Sequence, residues 1–235
     1  MADWLGNLAA GIRPDPEAIV VISAHWEEPE FTVTSGANPP LIYDYYGFPD
    51  HTYQLRYDAP GSPKLAEDIR TLLAKAGIAS QANSERGFDH GVFIPFKLIY
   101  PNAVIPIVQL SLKTGLDPAA HIAAGRAIAP LRDRNILIVG SGMSFHNMAT
   151  MMRGTPTATD SFDQWLDEIV RANPEARDEL LEHWSEAPGA RVAHPREEHL
   201  IPLMVAAGAA GPDRGHRTFH GHVMNATVSG FQFGG

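Results

Sequence analysis

The sequence predicts an α/β fold, a single domain with a central, largely parallel or mixed β-sheet flanked by helices, and three observations carry that reading. Three short apolar runs rich in β-branched residues, AIVVISA (18–24), VIPIVQLSL (104–112) and NILIVGSG (135–142), have the composition of strands buried on both faces of a sheet. Amphipathic or small-residue patterns of helical length are interspersed with them. No repeat, low-complexity tract or composition break divides the chain, so one domain over residues 1–235 is expected.

The elements follow in order. After the strand at 18–24 comes a long stretch without periodicity, residues 35–61, in which Gly, Pro and Asn alternate with five tyrosines and one phenylalanine. A loop of that length is usually functional, and its aromatic side chains, Tyr45 and Tyr46 among them, are candidates to wall a pocket for a flat ligand. Anchoring of the loop on the core by the same rings is the alternative. SPKLAEDIRTLLAKAG then reads as a helix with Ser62 as N-cap, Pro63 in the first turn, leucines at 65, 72 and 73, and Gly77 as a stop.

The strand at 104–112 leads into DPAAHIAAGRAIAPLRD, a second helix opened by Asp117 and Pro118. Beyond the strand at 135–142, SFDQWLDEIVRAN carries a Ser161 to Gln164 capping-box spacing. EEHLIPLMVAAGAAG (197–211) is apolar nearly all round and predicts a buried helix ending at glycine. NATVSGFQFGG (225–235) predicts a final strand.

Charge and composition exclude several classes of function. Lys and Arg number 18 against 27 Asp and Glu, a net charge of −9 with no basic stretch to follow a phosphate backbone, so nucleic acid is not an expected partner. Without cysteine there is neither a disulfide nor a thiolate site, and any metal must use imidazole, carboxylate or backbone oxygen. The apolar runs fall short of the roughly 20 residues that cross a bilayer. The first residues lack the charged and apolar regions of a secretory signal, so no membrane contact and a cytoplasmic location are expected.

Eleven histidines stand out, because imidazole titrates near neutrality and is the commonest metal ligand. His25 ends the first apolar run and His146 lies a few residues past the third, where ligands of open α/β sheets bind. His90 sits in GFDHGVFIPF, between Gly87 and Gly91 and beside Asp89, a sequence neighbour that need not face it. His194 and His199 lie in VAHPREEHLIPL. There Pro195 suits the first turn of a helix, which would put His199 about one turn in, where the helix field favours a neutral ring.

Each of these histidines also has a plain reading as a hydrogen-bonded structural residue. Glu197 and Glu198 read best as acidic charges at a helix N-terminus. His220 and His222, in HGH, have the spacing that shares one face of a strand, but the stretch reads as a polar surface connection. His121 and His183 read as helix-surface residues, and His51 belongs to the aromatic loop. No nucleophile elbow, Walker loop, dinucleotide fingerprint or H-E-x-x-H is present.

Taken together, ISAHWEEPEFTV, PPLIYDYYGFPDHTYQLRYDAPGSP, GFDHGVFIPFKLIYP, IPIVQLSL, VGSGMSFHN and HPREEHLIPLMVAAGAAG closely resemble the DOPA-dioxygenase group of class III extradiol ring-cleavage dioxygenases. The resemblance implies an α/β domain that uses a non-haem metal, Fe(II) in the usual case and Zn(II) in some relatives, to cleave a catechol-type ring with O₂. It implies metal ligation by His25 and His199, and by His146 as a further ligand or the acid/base. His90 is implied as acid/base or as a supporting pocket histidine, and His194 as a pocket residue. It also implies an earlier strand with an HG motif carrying another ligand; here 24 residues precede His25 and none is histidine.

The alternatives left open are a zinc hydrolase using the same histidines and a member that binds without catalysis or metal. A homodimer is the expected assembly.

Overall fold

The computed structural model describes residues 1–153 and 160–234, which form two compact units. One consists of Ala2–Thr114 and Pro130–Ser141, the other of Gly115–Ala129 and Gly142–Gly235 with Met1. No helix among the described residues is long and apolar enough to cross a membrane.

The first unit holds a five-stranded sheet: β1 (Ala18–Glu28), β2 (Phe31–Thr34), β3 (Ser80–Asn83), β4 (Ile107–Lys113) and β5 (Ile136–Ser141), in the order β3-β2-β4-β1-β5. β1 runs parallel to β4 and β5 and β2 parallel to β3, while β2 meets β4 antiparallel at Val33 and Leu110. The sheet is therefore mixed. β1 lies between β4 and β5, and Ile19, Val20, Val21 and Ile22 are wholly buried, so both of its faces are covered and both are apolar. The strand expected from Val104 begins only at Ile107, since Pro106 has no N–H to give to a central ladder. β2 and β3, four residues each, are too short to stand out by pattern.

Three α-helices belong to this unit: α1 (Ala2–Leu8), α2 (Pro63–Lys75) and α3 (His90–Ile99). α2 begins as its sequence predicts, with Ser62 Oγ accepting from Leu65 N at 3.2 Å. α3 starts at His90, capped by Asp89, whose carboxylate accepts from Gly91 N at 3.0 Å. Its Pro95 cannot donate to the carbonyl of Gly91 four residues back, and the Ser141 hydroxyl donates to that oxygen instead. Val92, Phe93 and Phe96 press α3 into one core with Ile19 and Val21 of β1, Ile107 of β4, and Tyr57 and Phe88. Burying such side chains contributes roughly 1.5–3 kcal/mol each, which fixes the His90 end of α3 relative to β1.

The second unit contains α4 (Pro118–Ile128), α5 (Met148–Arg153), α6 (Asp160–Val170), α7 (Pro174–Glu182), α8 (Ala190–Ala193), α9 (Ile201–Ala210) and the hairpin of β6 (Gly215–Val223) and β7 (Ala226–Phe233). α4 and α9 pack with their backbones close together: a Cβ on Gly208 would lie 2.1 Å from the carbonyl oxygen of Ile122. That contact accounts for the small-residue run AAGAA in a buried helix. The helical pattern expected to continue to Asp133 stops as α-helix at Ile128, two residues before Pro130, and goes on as a 3-10 segment, Ala129–Arg134.

Four expectations are corrected in this unit. Ser161 lies within α6 rather than capping it, and its hydroxyl faces the Pro188 carbonyl at 3.5 Å. α9 begins at Ile201 with Pro202 in its first turn, so Pro195 does not open it and His199 sits in the turn before the helix. HGH lies on a strand, since Gly215–Val223 pairs antiparallel with β7 across a two-residue connection, Met224 and Asn225. Ala226 and Val228 of β7 are buried, and the partner strand satisfies the backbone of that apolar segment; Gly235, the end of the expected strand, lies outside the described residues. His121 is buried rather than on the helix surface, with its Nδ1 2.7 Å from the Asp117 carbonyl.

Candidate metal centres

The first unit brings His25, Asp44 and His90 together, each offering a ligand atom, all within 4.8 Å of one another. His25 sits where β1 leaves its ladder. Ile22 pairs with Leu110 of β4, but the next pair is Glu27 with Leu112, so the β1 residues between them outnumber those opposite. Pairing with β5 ends at Ser23 and Ser141. Such irregularities re-aim side chains that a regular pleat would direct elsewhere.

Asp89 underlies His25. Its buried carboxylate accepts from Ser23 Oγ at 2.7 Å, Gly91 N at 3.0 Å, Arg86 Nη2 at 3.2 Å and the Gln109 side-chain amide, and its Oδ1 lies 3.7 Å from His25 Nδ1. Burial pulls this carboxyl upward, but His25, Ser23 and Gln109 outweigh burial and hold it at about 2. It is therefore a permanent anion at neutral pH. A Cβ on Gly91 would lie 2.6 Å from Ser23 Oγ and 2.8 Å from His25 Nδ1, so glycine is what lets α3 approach this group.

His90 begins α3, and Asp44 in the aromatic loop binds it twice. One oxygen, Asp44 Oδ1, accepts from the His90 backbone N–H at 2.9 Å and lies 2.8 Å from its Nδ1. Burial raises the Asp44 pKa, but the bonds from His90 outweigh it and leave the carboxyl below its ordinary range. The His25 and His90 rings stack with centroids 4.0 Å apart, and Tyr45 meets His90 edge-on at 5.7 Å. Tyr45 is tied down in turn by a 2.6 Å hydrogen bond from its hydroxyl to the Thr52 carbonyl. Tyr46, expected beside it, is 92% exposed. A surface hollow of about 570 Å³ in the same loop is lined by Tyr43, Tyr53, Arg56 and neighbours and includes none of the three cluster residues.

The second unit brings His146, Glu198 and His199 together, again with ligand atoms all within 4.8 Å. The two rings stack with centroids 3.4 Å apart and planes 17° from parallel. Glu198 Oε1 lies 3.1 Å from His199 Nδ1 and 3.6 Å from His146 Nδ1. This corrects the assignment of Glu198 to a helix-end charge: it precedes α9 in a turn, and a turn lets neighbouring residues face one site where a helix would splay them by about 100°. Glu197 instead pairs with Arg191 at 2.7 Å.

Backbone and side-chain bonds fix the segments that carry these rings. His146 N donates to Ala193 O at 3.0 Å, Asn147 Nδ2 to Val192 O at 2.8 Å, and Met143 N to His199 O at 3.0 Å. His194 Nε2 lies 3.1 Å from the Ser144 carbonyl. The His194 ring is fully buried, edge-on to Phe162 and Trp184. Burial lowers its pKa to about 4, further than the bond to Ser144 raises it, and the ring is neutral. His220 and His222 are exposed, with His220 beside Arg217 and Asp163.

The histidines were identifiable in the sequence; their carboxylates were not. Asp44 lies 46 positions from His90, and Asp89 serves His25 rather than the neighbouring His90. The one signal available was DHG, an acidic residue in N-cap position before a histidine and a glycine.

Imidazole and carboxylate donors on an α/β chain without thiols define a candidate metalloprotein of the class that binds first-row divalent ions. Residues 2–232 match the family described as the catalytic LigB subunit of aromatic ring-opening dioxygenase, and the chain belongs to it. A 4,5-DOPA dioxygenase extradiol of Beta vulgaris is 40% identical over 89% of this chain and 81% of its own length. Dioxygenase tasH of Hapsidospora irregularis is 38% identical over 94% and 72%, and the Escherichia coli K12 4,5-DOPA dioxygenase extradiol is 36% identical over 83% and 73%. A crystal structure of an uncharacterized Escherichia coli K12 protein superposes with a TM-score of 0.81 at 30% identity, covering 97% of this chain and 91% of that one. The resemblance carried by the sequence motifs is thus borne out, and these relatives support a ring-cleaving dioxygenase. For the metal that such chemistry implies, each of the two clusters supplies two imidazoles and a carboxylate at mutual distances compatible with one ion, so the residues present fit.

Proposed function

We propose that this protein uses a divalent metal, Fe(II) in the working enzyme, with Zn(II) able to occupy the site in the isolated protein, to cleave a catechol-type ring with O₂ beside the diol. The observation that supports it is the donor chemistry: paired imidazoles, each pair with a carboxylate, in a member of a ring-opening dioxygenase family. The ligands assigned residue by residue from the motifs are His25, His146 and His199, and Asp44 serves as the hydrogen-bond partner of His90 rather than as a ligand. When bound, the metal supplies a Lewis-acidic, redox-active centre for the diol and O₂.

The remaining work belongs to side chains. His90, with Nδ1 turned to Asp44, has Nε2 to take a phenolic proton and to return one as the ring opens. His146 is the alternative acid/base, and its stack on His199 fits either a ligand or a proton carrier. Tyr45, edge-on to His90, offers an apolar face to a planar substrate, whereas the exposure of Tyr46 leaves it without such support. Asp89, a fixed anion beneath His25, orients that ring as a ligand.

Protein loaded anaerobically with Fe(II) should consume oxygen when a catechol is added and yield a yellow semialdehyde-type product. A zinc hydrolase would consume none. A non-catalytic binding protein would bind the catechol and leave it intact.

A further inference from the structure

We propose that Asp44 is a positioning residue that fixes the orientation and tautomer of His90, so that Nδ1 carries the proton and Nε2 is presented for chemistry. The inference rests on the proton-transfer role given to His90 above.

An ionised carboxylate only accepts hydrogen bonds, so at 2.8 Å from Asp44 Oδ1 the ring nitrogen Nδ1 must be the donor. The same oxygen accepts the His90 backbone N–H at 2.9 Å, one of the donors that the first turn of α3 leaves without a helical partner. One atom therefore holds both ends of the residue, and rotating the ring would break the side-chain bond while the backbone bond kept the carboxylate in place. Two further contacts set the ring plane: the stack on His25 at 4.0 Å and the edge of Tyr45 at 5.7 Å. Asp44 and Tyr45 are sequence neighbours in DYYGFP, so one loop segment supplies both restraints.

This geometry separates charge from position. In Asp44→Asn the amide oxygen is still directed at the backbone N–H of His90, and so still accepts from Nδ1. Asp44→Leu and Asp44→Ala leave no acceptor.

The direct test is nitrogen NMR of full-length, Zn(II)-loaded protein labelled at the histidine rings, with the His90 signal identified by its loss in His90→Gln. The wild type and Asp44→Asn should show His90 protonated at Nδ1, and the Leu and Ala variants should show it shifted to Nε2. In Fe(II)-loaded protein, kcat for a catechol should fall about 10- to 100-fold in the Leu and Ala variants. KM, metal content and melting temperature should stay near wild type, and Asp44→Asn should remain within about threefold.

Retention of the Nδ1 proton in Asp44→Leu, or equal damage to the Asn and Leu variants, would overturn the proposal. Parallel loss of metal and melting temperature in both the Leu and Ala variants would also overturn it, showing a structural role. The tautomer readout needs no substrate. A wild-type protein inert towards catechols would therefore defeat the dioxygenase reading, while tautomer loss in Asp44→Leu still supported the positioning role.

Discussion

Acid should destabilise this protein through His194, and the size of the effect follows from its surroundings. The ring has no exposed surface, sits edge-on to Phe162 and Trp184, and makes its bond to the Ser144 carbonyl through Nε2. Burial presses its pKa from 6.5 to about 4. In the unfolded chain the ring binds a proton below about 6.5, whereas the folded protein resists until about 4, so acid favours unfolding across that window. The contribution is complete above 6.5, declines as the pH falls, and levels off below about 4. At about 1.4 kcal/mol per tenfold change in proton affinity, the window amounts to about 3 kcal/mol. That is a large part of a typical domain stability of about 5–15 kcal/mol. Urea denaturation across the window measures it, with His194→Phe as the comparison. The variant keeps an aromatic ring but leaves the Ser144 carbonyl without its donor, costing about 1 kcal/mol at neutral pH. Its stability should then fall less steeply with acid than the wild type's. Equal acid slopes in the two proteins would show that His194 does not carry the acid sensitivity.

Asp89→Ala removes the acceptor shared by Ser23, Gly91, Arg86 and Gln109, so it should destabilise by about 3 kcal/mol or more in thermal or urea unfolding and lower metal content. Gly208→Ala would put a Cβ 2.1 Å from the Ile122 carbonyl, and α4 must move to admit it; the expected cost is about 1–3 kcal/mol, with metal content unchanged. Gly91→Ala, crowding Ser23 Oγ and His25 Nδ1, should instead reduce metal content more than its effect on stability would suggest.

The contrast between these glycines shows what the sequence made legible. The sheet's central strand, the capped helix α2 and the buried helix α9 follow from local pattern: β-branched runs, Ser62 before Pro63, and an apolar small-residue run closed by glycine. The candidate histidines stood at the ends of those patterns and were found with them. What stayed hidden was long-range or turn-specific. Asp44 reaches His90 across 46 positions, and no period in the chain announces it. Glu198 reads as a helix-end charge because Pro195 suits a helix start, whereas Pro202 occupies the first turn of α9. The HGH stretch looked like surface because its own residues are polar, while its strand character comes from pairing with β7. The packing of His194 against Phe162 and Trp184 is likewise long-range, and no local pattern in HPREEH announces it.

An oxygen electrode tests the proposed oxygen-dependent ring cleavage at a histidine-held metal. Fe(II)-loaded protein should consume oxygen in step with catechol loss, His25→Ala and His199→Ala should lose both metal and oxygen uptake, and His90→Ala should keep metal and lose uptake. Metal-loaded wild type that consumed no oxygen with any catechol, or equal metal content in alanine variants at 25, 90, 146 and 199, would contradict it.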